Sequence, residues 1–176
     1  SFAVGSVSLS MQHFPDGRLT AAGFRAAQVA AGAELEEALE PFAPQHWREA
    51  LGSSGTVGAV SHLLASSGID DGAITPEGLR WLIERCLRAG HVDRIDLPGL
   101  KDDRRAVIAG GLALLYTLAA HFGVVEAGLD FEFHESIRSG DCNAHLGIEP
   151  RRRVLRNVVG IDSVELEIVG SGLGPV

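Results

Sequence analysis

Lysine is almost missing from this chain: Lys101 is the only one, so the 15 basic residues are nearly all arginine, against 23 acidic ones. The predominance of arginine reads as coding bias rather than chemistry. The formal charge of -8 argues against a general nucleic-acid surface, which needs clustered basic residues. It leaves room for an anionic substrate, because a local field can oppose the global one. Two cysteines, Cys86 and Cys142, cannot build a disulfide framework, and a reducing cytoplasm is the expected setting. Cys86 falls on an apolar helical face and reads as core. No apolar run reaches the roughly 18 residues that span a bilayer. The longest, Ala106 to Ala120, is interrupted by Gly110-Gly111, so no membrane is expected as a partner. No charged start leads into an apolar segment and a small-residue cleavage site, and no signal peptide is read. The chain opens on Ser rather than Met, inside an alternating segment, and the expectation is that its start has been cut away.

What is present suits a folded domain. The chain has 176 residues, 45% of them hydrophobic, enough for one real core. Val4, Val7 and Leu9 predict a strand near residues 2–10. Phe14-Pro15-Asp16-Gly17 is turn chemistry, with Pro presetting φ and Gly taking a positive φ. Thr20 caps a helix expected from residue 21 to about 40, with Glu34, Glu36, Glu37 and Glu40 on its wet face. A strand is expected near 47–52 and a helix over 57–66. Thr75 and Pro76 open a helix over 76–89, closed by Gly90. Asp102 or Asp103 opens a long helix over 103–122. Strand and helix patterns in this order predict an α/β layer. After Val125 the periodicity weakens, with alternation left only around Phe131 and Phe133 and around Val164, Leu166 and Ile168. This tail is expected to pack less well than the rest.

The stretch Gly52-Ser53-Ser54-Gly55-Thr56 carries the most chemistry. It joins a strand pattern to a helix pattern, and its glycines permit a close backbone approach. Its hydroxyls and N–H groups sit at a helix N-terminus, a natural place for an anion. It holds no group suited to proton transfer. A second glycine pair, Gly110-Gly111, lies inside an apolar helix, where each Gly costs about 1 kcal/mol, so close packing is expected there. His134, Cys142 and His145 lack a fourth partner at zinc-site spacing, and no metal site is read from them. Arg151-Arg152-Arg153 reads as a solvated run, and Glu34 and Glu37 as ordinary surface carboxylates.

Several pieces, in order, resemble the Ppx/GppA phosphatases, which comprise exopolyphosphatase and guanosine pentaphosphate phosphatase. They are Gly5-Ser6-Val7-Ser8-Leu9 with Phe14-Pro15-Asp16-Gly17, then Ala50 to Val57, Ile74-Thr75-Pro76-Glu77 with Leu79, Leu97-Pro98-Gly99-Leu100, and Ala109 to Leu115. The resemblance covers about residues 4–124. It implies one ribonuclease-H-like lobe of the actin, hexokinase and Hsp70 type, a mixed sheet flanked by helices. Residues 1–124 would form the second lobe of a two-lobed phosphatase, and 125–176 an unmatched tail, either diverged or frame-shifted. Gly52, Ser53, Ser54, Gly55 and Thr56 would face phosphate or nucleotide. Gly110 and Gly111 would pack near the interlobe hinge.

The family's first phosphate loop, of Asp-x-Gly-Ser-Asn type, and its second, Asp-Ile-Gly-Gly-Gly-Ser, do not occur in these residues. The general base belongs to the first lobe, so no catalytic residue is assigned here. The resemblance implies a hydrolase in which water attacks a terminal phosphate of polyphosphate or guanosine pentaphosphate, with magnesium as cofactor. This chain alone is expected to be inactive. Its expected partners are that substrate and the first lobe, with a homodimer as an open assembly. The alternative is an α/β module that binds a nucleotide or a partner without turnover.

Overall fold

The computed structural model describes residues 2–44, 49–122, 155–157 and 166–169. The described residues are mainly helical. Helices α1 (Ser6–His13) and α2 (Ala21–Leu35) are followed by strand β1 (Glu49–Gly52), α3 (Gly55–Ser66) and α4 (Pro76–Ala89). A single turn, α5 (Asp102–Arg105), precedes α6 (Ile108–His121), and two short strands, β2 (Leu155–Asn157) and β3 (Leu166–Val169), come last.

Helix α6 is the axis of the core. Eleven of its 14 residues are buried, and a helix that is apolar all round belongs inside. Helices α1, α2, α3 and α4 all pack against it. Helix α2 presents Phe24, Ala27, Ala31 and Leu35, a face whose middle, Ala27 and Ala31, admits close approach. Its N-cap is Thr20, whose hydroxyl accepts the Gly23 N–H at 3.0 Å. Helix α4 buries Leu79, Leu82, Ile83 and Cys86. It begins at the Thr75 cap, which accepts from Gly78 N at 3.1 Å, and ends at Gly90, whose φ of 68° is left-handed as helix stops commonly are.

Three expectations are corrected. Residues 6–13 form a helix, not the strand expected near 2–10. The three apolar positions read as alternation are not evenly spaced. The face that packs also uses Ser10, buried at 4% exposure, which an apolar pattern does not count. The helix from residue 21 gives way after Leu35 to a 3-10 turn, Glu36–Ala38. The helix expected over 103–122 is two pieces, broken at Ala106–Val107. The Phe14–Gly17 turn forms as read, with Gly17 N donating to Phe14 O at 3.0 Å and a Gly17 φ of 69°.

Strand β1 is the centre of a three-stranded sheet ordered β2-β1-β3. It runs parallel to β2, with Ala50 opposite Leu155, and antiparallel to β3, with Ala50 opposite Ile168. The strand expected around Leu166 and Ile168 thus occurs as β3. Among the described residues the strands of this sheet have three or four residues each. The strand read around Phe131 and Phe133, and the packing of most of the tail, lie outside the described residues.

Candidate functional site

The stretch from Gly52 to Thr56 joins the end of β1 to the start of α3, as its turn and cap chemistry predicts. Ser54 is the N-cap in extended conformation. Its side chain accepts the Val57 N–H at 3.2 Å and its carbonyl accepts from Gly58 N at 3.0 Å. Ser54 is buried, so its hydroxyl serves the helix rather than the surface. Gly52 is buried too. A Cβ there would lie 2.8 Å from Val57 Cγ2, so the bare glycine lets α3 fold back onto the end of the strand. Ser53 is half-buried.

Neither Gly52 nor Gly55 has a positive φ. The turn therefore does not need glycine for its dihedrals, and the reason must lie in what stands nearby. At Gly55, which is exposed, a Cβ would lie 2.9 Å from Arg104 Nη1 and 3.0 Å from Nη2. A guanidinium therefore stands over the first residue of α3. Sequence reading did not single out Arg104. It lies far along the chain on another helical piece, and no local spacing signals its approach.

Thr56 turns away from solvent. Its hydroxyl donates to Ser6 Oγ at 3.0 Å, and its methyl lies 2.5 Å from where Gly111 would carry a Cβ. Gly110 packs against α1: its N–H donates to Ser10 Oγ at 3.1 Å. A Cβ on Gly110 would run into the Ser6 carbonyl oxygen, and would lie 2.5 Å from Ser10 Oγ and 2.6 Å from Ser10 N. The glycine pair thus lets α1 and α3 meet over α6, and it brings Gly110-Gly111 beside the Gly52–Thr56 stretch. Both glycines stand where atoms of another helix approach closely.

Two helix N-termini and the Arg104 guanidinium, itself paired with the Asp103 carboxylate, meet at this corner. The first residue of α1, Ser6, and the second of α3, Thr56, are bonded to one another. Each helix N-terminus carries about half a positive charge from aligned peptide dipoles. The first turn of a helix leaves N–H groups without intrahelical partners. In α3, Ser54 takes the one on Val57. The guanidinium of Arg104 adds a positive charge that the Asp103 carboxylate, 3.5 Å away between side chains 41% and 68% exposed, offsets in part. In a chain of net charge -8, such a spot is suited to an anion.

The other sequence candidates separate cleanly. Cys86 is wholly buried, and desolvation pushes its thiol up to about 12, which leaves it an unreactive core residue. Glu34, Glu36 and Glu37 are exposed. His134, Cys142, His145 and Arg151 to Arg153 lie outside the described residues. Among the described residues, no three His, Cys, Asp or Glu side chains come together to hold a metal. No helix among the described residues is long and apolar enough to cross a membrane.

The profile of the Ppx/GppA phosphatase family matches residues 1–126. The chain belongs to the Ppx/GppA phosphatase family. A Haemophilus influenzae protein provisionally named an exopolyphosphatase is 30% identical over 150 residues, covering 80% of this chain and 46% of that protein. A guanosine-5'-triphosphate,3'-diphosphate pyrophosphatase of Aeromonas hydrophila is 33% identical over 124 residues, 70% of this chain and 25% of its own. One from Vibrio cholerae, with the same name, is 31% identical over 155 residues, 82% of this chain and 31% of its own. The chain spans between a quarter and a half of the length of these Ppx/GppA relatives. Membership implies an actin-like ATPase fold, and the names of the relatives are those of phosphoanhydride hydrolases.

Proposed function

We propose that this chain is the second lobe of a Ppx/GppA hydrolase and that Gly52 to Thr56 forms part of the wall of its interlobe cleft. The single observation that supports this most is the guanidinium of Arg104 against Gly55 at the N-terminus of α3. The reaction is attack of water on a terminal phosphorus of polyphosphate or guanosine pentaphosphate. The P–O anhydride bond to the bridging oxygen breaks, the shortened polyphosphate or guanosine tetraphosphate leaves with that oxygen, and the attacked phosphorus becomes orthophosphate. In such phosphoryl transfer, catalysis is mostly positioning and charge stabilisation. Here the contribution of this chain is charge stabilisation. The N–H groups at the start of α3 and Arg104 hold phosphate oxygens, while Ser54 and Thr56 keep the loop in shape. Gly110 and Gly111 hold α1, α3 and α6 together behind it, near the hinge between lobes. The general base and the first phosphate loop belong to the first lobe, and neither the second phosphate loop nor the ligands of magnesium are assigned to these residues.

Two assays test the reading. Calorimetric titration of the chain with pyrophosphate should give weak binding, and Arg104→Ala should weaken it by about tenfold, the loss of one charge-assisted contact. Phosphate release from polyphosphate or guanosine pentaphosphate, with magnesium present, should be undetectable for the chain alone. Release that falls in Ser54→Ala or Thr56→Ala would mean that the chain holds a complete site, and the assignment as one lobe would be abandoned. Pyrophosphate binding that is equal in the parent and in Arg104→Ala would remove the loop from the cleft.

A further inference from the structure

We propose that Arg105 is a positioning residue whose anchoring of α5 sets the guanidinium of Arg104 over Gly55. The proposal rests on the reading of the Gly52–Thr56 loop as anion-facing, and concerns how the Arg104 side chain beside it is held.

Helix α5 is a single turn of four residues, and its N-cap, Lys101, makes no side-chain cap bond. It is separated from α6 by the break at Ala106–Val107. A turn this short has no stability of its own, so its orientation comes from what it is tied to. Arg105 supplies that tie. Its Nη1 donates to the Ile95 carbonyl at 2.7 Å and, more weakly, to the Val92 carbonyl at 3.4 Å. Its Nη2 lies 3.5 Å from Asp102 Oδ1 within the same turn. The Arg105 side chain is 26% exposed, whereas the Asp102 side chain is almost fully exposed. The carbonyl bonds are therefore the sheltered part of the clamp, and the ion pair is of little weight.

The segment to which Arg105 is tied is itself fixed. Val92 N donates to Gly17 O at 2.8 Å, Ile95 N donates to Val92 O at 3.3 Å, and Ile95 is buried in the core. Successive residues of a helical turn point about 100° apart, so one arginine can face this anchor while its neighbour reaches α3. Among the described residues, Arg104 has no comparable tether: its ion pair to Asp103 is between exposed groups. Its place over Gly55 is inherited from the turn that Arg105 holds. A planar guanidinium bridging two carbonyls suits this task better than a lysine ammonium.

The test is NMR of the full chain, with side-chain labelling of arginine. In the parent, the Arg104 guanidinium protons should show a nuclear Overhauser contact to the Gly55 Hα. In Arg105→Ala this contact should vanish while the amide shifts of α6 stay in place, and pyrophosphate binding should weaken about as much as in Arg104→Ala. Arg105→Lys, which keeps a donor for the Ile95 carbonyl, should restore part of the contact and secures the test if the alanine variant does not fold. Full retention of the Arg104–Gly55 contact in a folded Arg105→Ala variant would overturn the proposal; where that variant does not fold, a contact at the parent's full intensity in Arg105→Lys, where only part of it is expected, would do so. A parent that binds no pyrophosphate would instead overturn the anion-facing reading, with the effect of Arg105 on Arg104 still measured by the contact itself.

Discussion

At Gly110, in the helical block around α6, an added methyl group would run into the backbone of Ser6 and Ser10; at Gly55, on the edge formed by β1 and α3, it would meet only the far end of the Arg104 side chain. The first glycine is dictated by packing. Fixed atoms of another helix occupy the space, and they cannot yield without moving α1. The second is exposed, its φ is not left-handed, and a flexible side chain can swing aside. Stability alone does not explain why that position is bare. The comparison teaches that a glycine kept without a packing or dihedral reason marks a surface where something else must come close.

Substitutions should break this comparison in order of severity. The largest effect belongs to Gly110→Ala. A gain of about 1 kcal/mol in helix propensity is outweighed by overpacking against α1. We expect a net loss of about 3 kcal/mol, measured by urea denaturation with an unchanged slope. Gly111→Ala comes next, at about 1–2 kcal/mol, because the obstacle is the Thr56 methyl group alone. Adding Thr56→Ser removes that methyl but keeps the hydroxyl for Ser6, so the double variant should recover most of the loss. Recovery by Thr56→Ser in the Gly110→Ala background as well would show that the two glycines answer to one neighbour rather than two. The smallest change in stability is expected for Gly55→Ala, within about 0.5 kcal/mol of the parent by the same denaturation. A loss as large as that at Gly110 would erase the distinction.

The elements that were legible in the sequence are those whose limits are set by adjacent residues. Thr75, Pro76 and Gly90 fix both ends of α4 locally, and Ser54 fixes the start of α3 through its own side chain. The Phe14–Gly17 turn is likewise written in four consecutive residues. What stayed hidden depends on distant partners. Helix α1 packs through Ser10 onto Gly110, a polar contact that no apolar period announces. The break before α6 accompanies the tie of Arg105 to the carbonyls of residues 92 and 95. Arg104 reaches Gly55 only through the fold, so the loop could be read from sequence while its cation could not. The pairing of β1 with two strands from late in the chain is non-local in the same sense.

The central claim is that the start of α3, with Arg104 beside it, faces an anion. The most direct measurement is an amide-resolved NMR titration of the full chain with pyrophosphate, repeated on a folded Gly55→Ala variant. The account predicts shifts centred on Ser53 to Val57 and on the Arg104 guanidinium, and their loss when the added Cβ displaces that guanidinium and crowds the approaching phosphate. Shifts that leave these residues untouched at millimolar ligand, or that persist unchanged in Gly55→Ala, would contradict it.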